Sequence, residues 1–411
     1  MSHLLGSDVL DRALSERTEA NRAFFEAEAE RLARLCHKMA ERFARGGRLI
    51  ALGRSPAARS DARHVAVEFV HPVIVGKRAL PALALAGEGG PLDEQAALAV
   101  EPGDIVIGFG SDADTALRLA RERGCLTLAF APAGAEWEFE PPSQDASIRQ
   151  ELVETLYHVL WELVHVFFDH RGLLEGRDAR RTHDTGASSF LYPFLSEGEK
   201  DLEAVVGDVR RSILAKAEEV GQLRAQTLEE NREELLVAAA GMRADLEAGG
   251  RLLALGNGGS ATDAMDVVAD FRCPADPRWQ PRRALDLTED PAILTAIAND
   301  IGTEAIFSRQ VIAHGRDGDV LLAISTSGNS ANVVAALAEA RSRGLRTAAL
   351  VGYDGGRVAA ERLADHVVVT RSEHIPRIQE AQASAYHLLR ELVETPRAQP
   401  AEPAASQDGP A

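Results

Sequence analysis

Cysteine is scarce in this chain: Cys36, Cys125 and Cys273 are the only three in 411 residues, far apart and without a Cys-x-x-Cys pair. That excludes a disulfide framework and suits a reducing compartment, where structural thiols are the simplest reading. Positive charge is in deficit too. Forty-five Lys and Arg against 63 Asp and Glu leave a net charge of −18, which argues against a broad electrostatic grip on nucleic acid or anionic lipid. Any anion bound here has to be held locally. No apolar run approaches the roughly 18 residues of a membrane span. The opening Met1-Ser-His-Leu-Leu-Gly-Ser-Asp8 lacks the basic start and long apolar core of a signal peptide. A cytoplasmic protein with no nucleic-acid or membrane partner is therefore expected. Disorder of the bulk is excluded as well, since 45% of residues are apolar and the length suits about two or three domains.

What the chain does have is an internal repeat. Gly46-Gly-Arg-Leu-Ile-Ala-Leu-Gly53 recurs 203 residues later as Gly249-Gly-Arg-Leu-Leu-Ala-Leu-Gly256. Around each copy the pattern runs in one order: a long amphipathic helical region (8–45, then 196–248), a short apolar strand, a helix, then strands alternating with helices. Apolar runs at Asp104–Phe109, Leu126–Phe130, Asp319–Ile324 and Thr347–Val351 predict parallel strands. Each copy closes on a helix, marked by Tyr157-His158 and by Tyr386-His387. The expected fold is α/β: two three-layer α/β/α domains with parallel sheets, each preceded by long helices. The division reads as 1–170, a connection at 171–195, a second domain at 196–395, and a Pro/Ala-rich tail at 396–411 expected to be disordered.

Two loops of the second copy look built for an anion. Gly256-Asn257-Gly258-Gly259-Ser260 follows the strand Leu252–Leu255 and opens a helix over Ala261–Phe271. Glycines let the backbone approach a ligand, and a helix start offers unpaired N–H groups. A ligand-free turn would look similar. The strand over Asp319–Ile324 then runs into Ser325-Thr326-Ser327-Gly328-Asn329-Ser330 before a helix over Ala331–Arg343. Four hydroxyls and a glycine at a helix start suit a phosphate monoester without a Lys or Arg cluster; an over-capped helix start is the simpler alternative. Both loops sit where ligands bind in open α/β sheets, at strand C-termini.

With those loops, Ala296-Ile-Ala-Asn299-Asp300-Ile-Gly302 and Arg377-Ile-Gln379-Glu380 complete four motifs in order. Over about 200–395 the chain resembles the phosphoheptose isomerase branch of the SIS (sugar isomerase) family. The resemblance implies interconversion of sedoheptulose 7-phosphate and a heptose 7-phosphate, a zinc ion, and assembly into tetramers, here a homo-oligomer in which two such chains stand for four subunits. Carried over by position, Ser325, Thr326, Ser327 and Ser330 would hold the phosphate, while Asn257, Gly258, Gly259, Ser260, Asn299, Asp300 and Gln379 would line the sugar.

An aldose–ketose isomerase moves a proton between neighbouring carbons through an enediol, and so needs a base at carbon and an acid at oxygen. The family uses a His-x-x-x-Glu pair, one helical face by its i, i+4 spacing, plus a Gln and a His eight residues apart. The second copy keeps Gln379 and His387 but carries Asp266 and Asp270 in place of the pair, each of which also reads as an exposed helix carboxylate. The first copy carries His64, Glu68, Gln150 and His158 at all four positions, a metal-type set. Its loops, however, are Gly53-Arg-Ser-Pro-Ala57 and Gly110-Ser-Asp112-Ala-Asp114, whose aspartates repel phosphate, and only 34 residues separate Phe69 from Asp104 against 47 between Phe271 and Asp319.

The halves thus diverge in complementary ways. The expectation is a phosphosugar isomerase in which a carboxylate (Glu68 or Asp270) and a histidine (His158 or His387) transfer protons, and a metal is held by His64, Glu68, Gln150 and His158 or by Asp266, Asp270, Gln379 and His387. The sites are either shared between halves or confined to one, with the other a structural partner. Two alternatives remain open: a non-catalytic SIS protein that senses a sugar phosphate or binds a protein, and an aminosugar-phosphate isomerase, disfavoured because no amidotransferase segment precedes the repeat.

Overall fold

A computed structural model of the chain describes residues 2–73, 77–87, 89–169 and 201–395. The expected connection at 171–195 and tail at 396–411 lie outside the described residues. The first half runs α1 (Ser2–Ala44), β1 (Leu49–Leu52), α2 (Pro56–Val70), β2 (Ala82–Leu85), α3 (Leu92–Ala99), β3 (Ile105–Gly108), α4 (Asp114–Glu122), β4 (Leu126–Ala129), β5 (Trp137–Glu138) and α5 (Ala146–Asp169). The second half runs α6 (Leu202–Glu230), α7 (Arg232–Glu247), β6 (Leu252–Leu255), α8 (Gly259–Arg272), β7 (Ala284–Asp286), α9 (Pro291–Asp300), α10 (Ser308–His314), β8 (Val320–Ser325), α11 (Ala331–Ser342), β9 (Arg346–Gly352), α12 (Gly356–Ala360), β10 (His366–Thr370) and α13 (Ile375–Glu394).

Each half holds a parallel five-stranded sheet, ordered β2-β1-β3-β4-β5 and β7-β6-β8-β9-β10, which is one topology used twice. The central strands are buried throughout, as sheets covered on both faces must be. In each copy the order reverses between the first and third strands, which places the ligand crevice of such a sheet at their C-terminal ends.

The near-identical repeat has a steric and an electrostatic cause. A Cβ at Gly53 would stand 2.1 Å from the carbonyl oxygen of Ala58, and one at Gly256 would stand 2.1 Å from that of Ser260, so both strand-to-helix turns require glycine. Ahead of the strands, the Arg48 guanidinium donates to Asp104 at 2.7 Å and Arg251 donates to Asp319 at 2.7 Å, clasping the first and third strands of each sheet.

The helical layer is shared rather than divided. Leu10 and Ala13 of α1 pack with Leu235, Met242 and Leu389 of the second half, while Val205, Val209 and Ile213 of α6 pack with Phe25, Leu32 and Leu156 of the first. Between the sheets, α2 lies on α8 and α5 on α13, so equivalent helices of the two copies face each other as in a two-fold dimer. Among the described residues no helix is long and apolar enough to cross a membrane.

Candidate active site

The eight metal-type residues singled out in the two copies converge on the seam between α2, α5, α8 and α13. The i, i+4 spacing on α2 brings His64 and Glu68 to one face, with His64 Nε2 3.9 Å from Glu68 Oε1. His158 of α5 meets them, its Nε2 3.4 Å from His64 Nε2. All three are at least 97% buried. The fourth member of this cluster comes from the other half: Gln379 Nε2 lies 3.4 Å from His64 Nε2. The converse holds opposite, where Gln150 of the first copy donates to Asp266 at 2.9 Å beside Asp270 and His387. The grouping expected from sequence is corrected here: each glutamine serves the centre of the opposite copy, because the closing helices α5 and α13 cross the seam side by side.

A second crossing fixes the imidazoles. His158 Nδ1 lies 3.0 Å from Glu380 Oε1, and His387 Nδ1 lies 3.0 Å from Glu151 Oε1. Glu380 is braced by Arg377, and Glu151 by Arg17 and Ser384. A carboxylate accepts, so the Nδ1 proton of His158 points at Glu380, which leaves Nε2 facing His64. Neither glutamate carried a role in the sequence reading; the signal was there in Gln150-Glu151 and Gln379-Glu380, a dipeptide repeated at equivalent positions.

The two centres differ in electrostatics. Burial, with His158 adding to it, pushes the His64 proton affinity well below the usual value, which keeps its ring neutral and able to give a lone pair. Burial raises Glu68 to about 7, and its Oε2 has no hydrogen-bond partner. At the opposite centre, burial alone would lower His387, but Asp266, Glu151 and Asp270 outweigh it and hold the ring protonated. His387 Nε2 is 3.3 Å from Asp266 and 3.7 Å from Asp270. Asp266 also accepts from Gln150, from Tyr386 at 3.0 Å and from Ser60 at 3.3 Å. Asp266 is therefore buried at 2% exposure and Asp270 half-buried, not exposed helix carboxylates. Burial, then Asp266, lifts Asp270 to about 7.

The glycine loop abuts the first of these centres. Gly258 caps α8 with φ of 59°, and a Cβ at Gly259 would stand 1.9 Å from Gln379 Nε2 and 2.8 Å from His64 Nε2. The start of α8 therefore presses against the His64 cluster. Asn257 and Asn332 exchange amide hydrogen bonds at 3.0 and 2.9 Å, tying the glycine loop to the serine loop. Ser325 and Ser327 hydroxyls accept from the Gly328 and Asn329 N–H groups, while Ser330 sits at the N-cap of α11 without capping it. Asn299 and Asp300 lie at the exposed end of α9, where they bond to one another.

Residues 217–352 match the family model of the SIS domain. Over 187 residues, 46% of the chain and 89% of the relative, it is 40% identical to a phosphoheptose isomerase of Nitratidesulfovibrio vulgaris. Over 181 residues, 42% of the chain and 94% of the relative, it is 47% identical to that of Geobacter sulfurreducens. Among solved structures, the C-terminal domain of glucosamine-fructose-6-phosphate aminotransferase from Francisella tularensis covers 94% of this chain and 95% of its own at 11% identity and a TM-score of 0.56, a likeness of fold over both halves. The chain belongs to the SIS domain family, as a tandem of two such units with phosphoheptose isomerases among its relatives.

Proposed function

We propose that the chain is a phosphosugar aldose–ketose isomerase with one competent site, assembled from both halves, and that its substrate is sedoheptulose 7-phosphate. The observation that carries this reading is the approach of Gly259 to His64: the half that kept the phosphate-type loops presents its glycine loop to the metal-type pair kept by the other half. The substrate follows from the phosphoheptose isomerase relatives.

In this reading Ser325, Thr326, Ser327 and Ser330 hold the phosphate with the N–H groups at the start of α11, and Asn257, Gly258 and Ser260 line the sugar. Glu68 carries the proton between neighbouring carbons. A carboxyl near 7 suits both taking and returning it, and burial keeps water from competing. His158, its Nδ1 held by Glu380, directs Nε2 into the same space and exchanges the proton at oxygen when no metal occupies that nitrogen.

Zinc fits this centre on its donors: a neutral imidazole at His64, the Nε2 of His158 that faces it, an unpartnered carboxylate oxygen on Glu68, and the buried unpartnered Oε1 of Gln379, which an amide rotation turns toward His64. Bound there, it would polarise the sugar's oxygens and stabilise the enediolate. At the Asp266, Asp270 and His387 set, an ion would first have to displace the His387 proton that these carboxylates hold. The aspartate substitutions that would favour a non-catalytic binder thus fall outside the competent site. A homo-oligomer remains part of the proposal; Ile293, Ile301 and Ile312, exposed around α9 and α10, offer an apolar face for it.

The test is a ketose-to-aldose assay on the full chain with and without added zinc. Turnover of sedoheptulose 7-phosphate is expected, and no turnover of any heptose or pentose phosphate would sink the proposal.

A further inference from the structure

The seam holds a second cavity, of about 450 Å³, within the range of roughly 300–1,000 Å³ of small-molecule sites. It is the first copy's counterpart of the sugar site. Ser55–Ala58 stand where the second copy has its glycine loop, and Gly108–Gly110 where it has the start of its serine loop; Asp270 and Cys273 of the other half close the wall.

Its chemistry has been inverted. Phe109, Leu117, Phe130, Val153 and Trp279 make the walls apolar, and Asp61, Asp114 and Asp270 place carboxyl groups in them. Asp61 is 8% exposed and Asp270 reaches the cavity from the half-buried end of α8. The one cation in the wall, Arg149, is engaged by the carbonyls of Pro141 and Ser143, each at 3.2 Å. Such a cavity rejects phosphate and rewards an ammonium on an apolar body, which pairs with carboxylate while its remainder leaves water.

We propose that this cavity is a second ligand site, distinct from the sugar site, for a non-phosphorylated small molecule that carries a protonated amine on an apolar body, with Asp270 as its main charge partner. Cys273 provides a reporter: it lines the cavity and is exposed, whereas Cys36 and Cys125 are buried.

The experiment titrates the full chain with benzylamine, benzyl alcohol and benzyl phosphate by calorimetry and follows alkylation of Cys273 by N-ethylmaleimide. Benzylamine is expected to bind about tenfold or more tighter than the alcohol, as a charge-assisted bond allows, to bind alongside saturating sedoheptulose 7-phosphate, and to slow Cys273 alkylation. Asp270→Asn should erase the preference for the amine while keeping the alcohol. Ala57→Trp should remove both, and Ala269→Leu fills the same volume from the opposite wall if the first substitution disturbs folding. Equal binding of all three probes, a preference for benzyl phosphate, displacement of benzylamine by the sugar phosphate, or unchanged Cys273 protection in both filled variants overturns the proposal.

Discussion

Glu380 of the second copy holds His158 of the first, carboxylate to Nδ1 at 3.0 Å, so the ring proposed to exchange the proton at oxygen is oriented by the other half. Glu380→Gln keeps the shape but lets the amide turn either face to the ring. The expected result is a fall of about 10–100-fold in kcat, the usual scale for such supporting partners, with KM within about threefold. Steady-state kinetics check this, and Glu380→Asp should recover part of the loss.

The histidines of the two centres should titrate in opposite directions. His64 is shifted down from its usual 6.5, so it is neutral throughout the range above that value; His387 is shifted up, so it stays protonated through neutral pH. Imidazole nitrogen NMR of the zinc-free chain at pH 7 should show a neutral His64 and an imidazolium at His387. The opposite assignment would remove the electrostatic difference between the centres.

Phosphate binding should depend on one serine loop only. Ser327→Ala and Ser330→Ala each delete a hydrogen bond to a charged group, about 1.5–3 kcal/mol, and so should raise KM by roughly tenfold or more. Ser111→Ala, in the equivalent loop of the first copy, should leave KM within about twofold. Initial-rate measurements over a range of substrate separate the two.

Arg17 is 4% exposed and donates to Glu151 at 3.0 and 3.1 Å. Arg17→Met leaves a buried carboxylate short of its main cation, at a cost of about 3 kcal/mol or more. Because Arg17 lies on α1, whose residues pack against both halves, a lower thermal midpoint for the whole chain is expected rather than loss of one half alone.

The duplicated α/β plan was legible in the sequence because its signals are local. The glycines of the repeat are forced by backbone contacts at Gly53 and Gly256, and buried parallel strands write themselves as short apolar runs. Strand ends came within one or two residues, as at Asp104–Phe109 against Ile105–Gly108. The partnering of the site was not legible. Gln150 and His158 share one helix eight residues apart, yet they face different centres, since only the crossing of α5 with α13 decides which neighbour each meets. The sharing of α1 and α6 between the cores escaped for the same reason: an amphipathic stripe records that a face is buried and not against what. An exposed carboxylate stayed open as the alternative for Asp266 because nothing local announces Gln150, Tyr386 and Ser60 as its partners.

The central claim is a single competent site built from both halves. A crystal of the full chain soaked with zinc and sedoheptulose 7-phosphate, measured with anomalous scattering at the zinc edge, tests it most directly. The account predicts one zinc peak among His64, Glu68, His158 and Gln379, with the phosphate on Ser325–Ser330. A peak at Asp266, Asp270 and His387, or a phosphate on Gly110–Asp114, would contradict it.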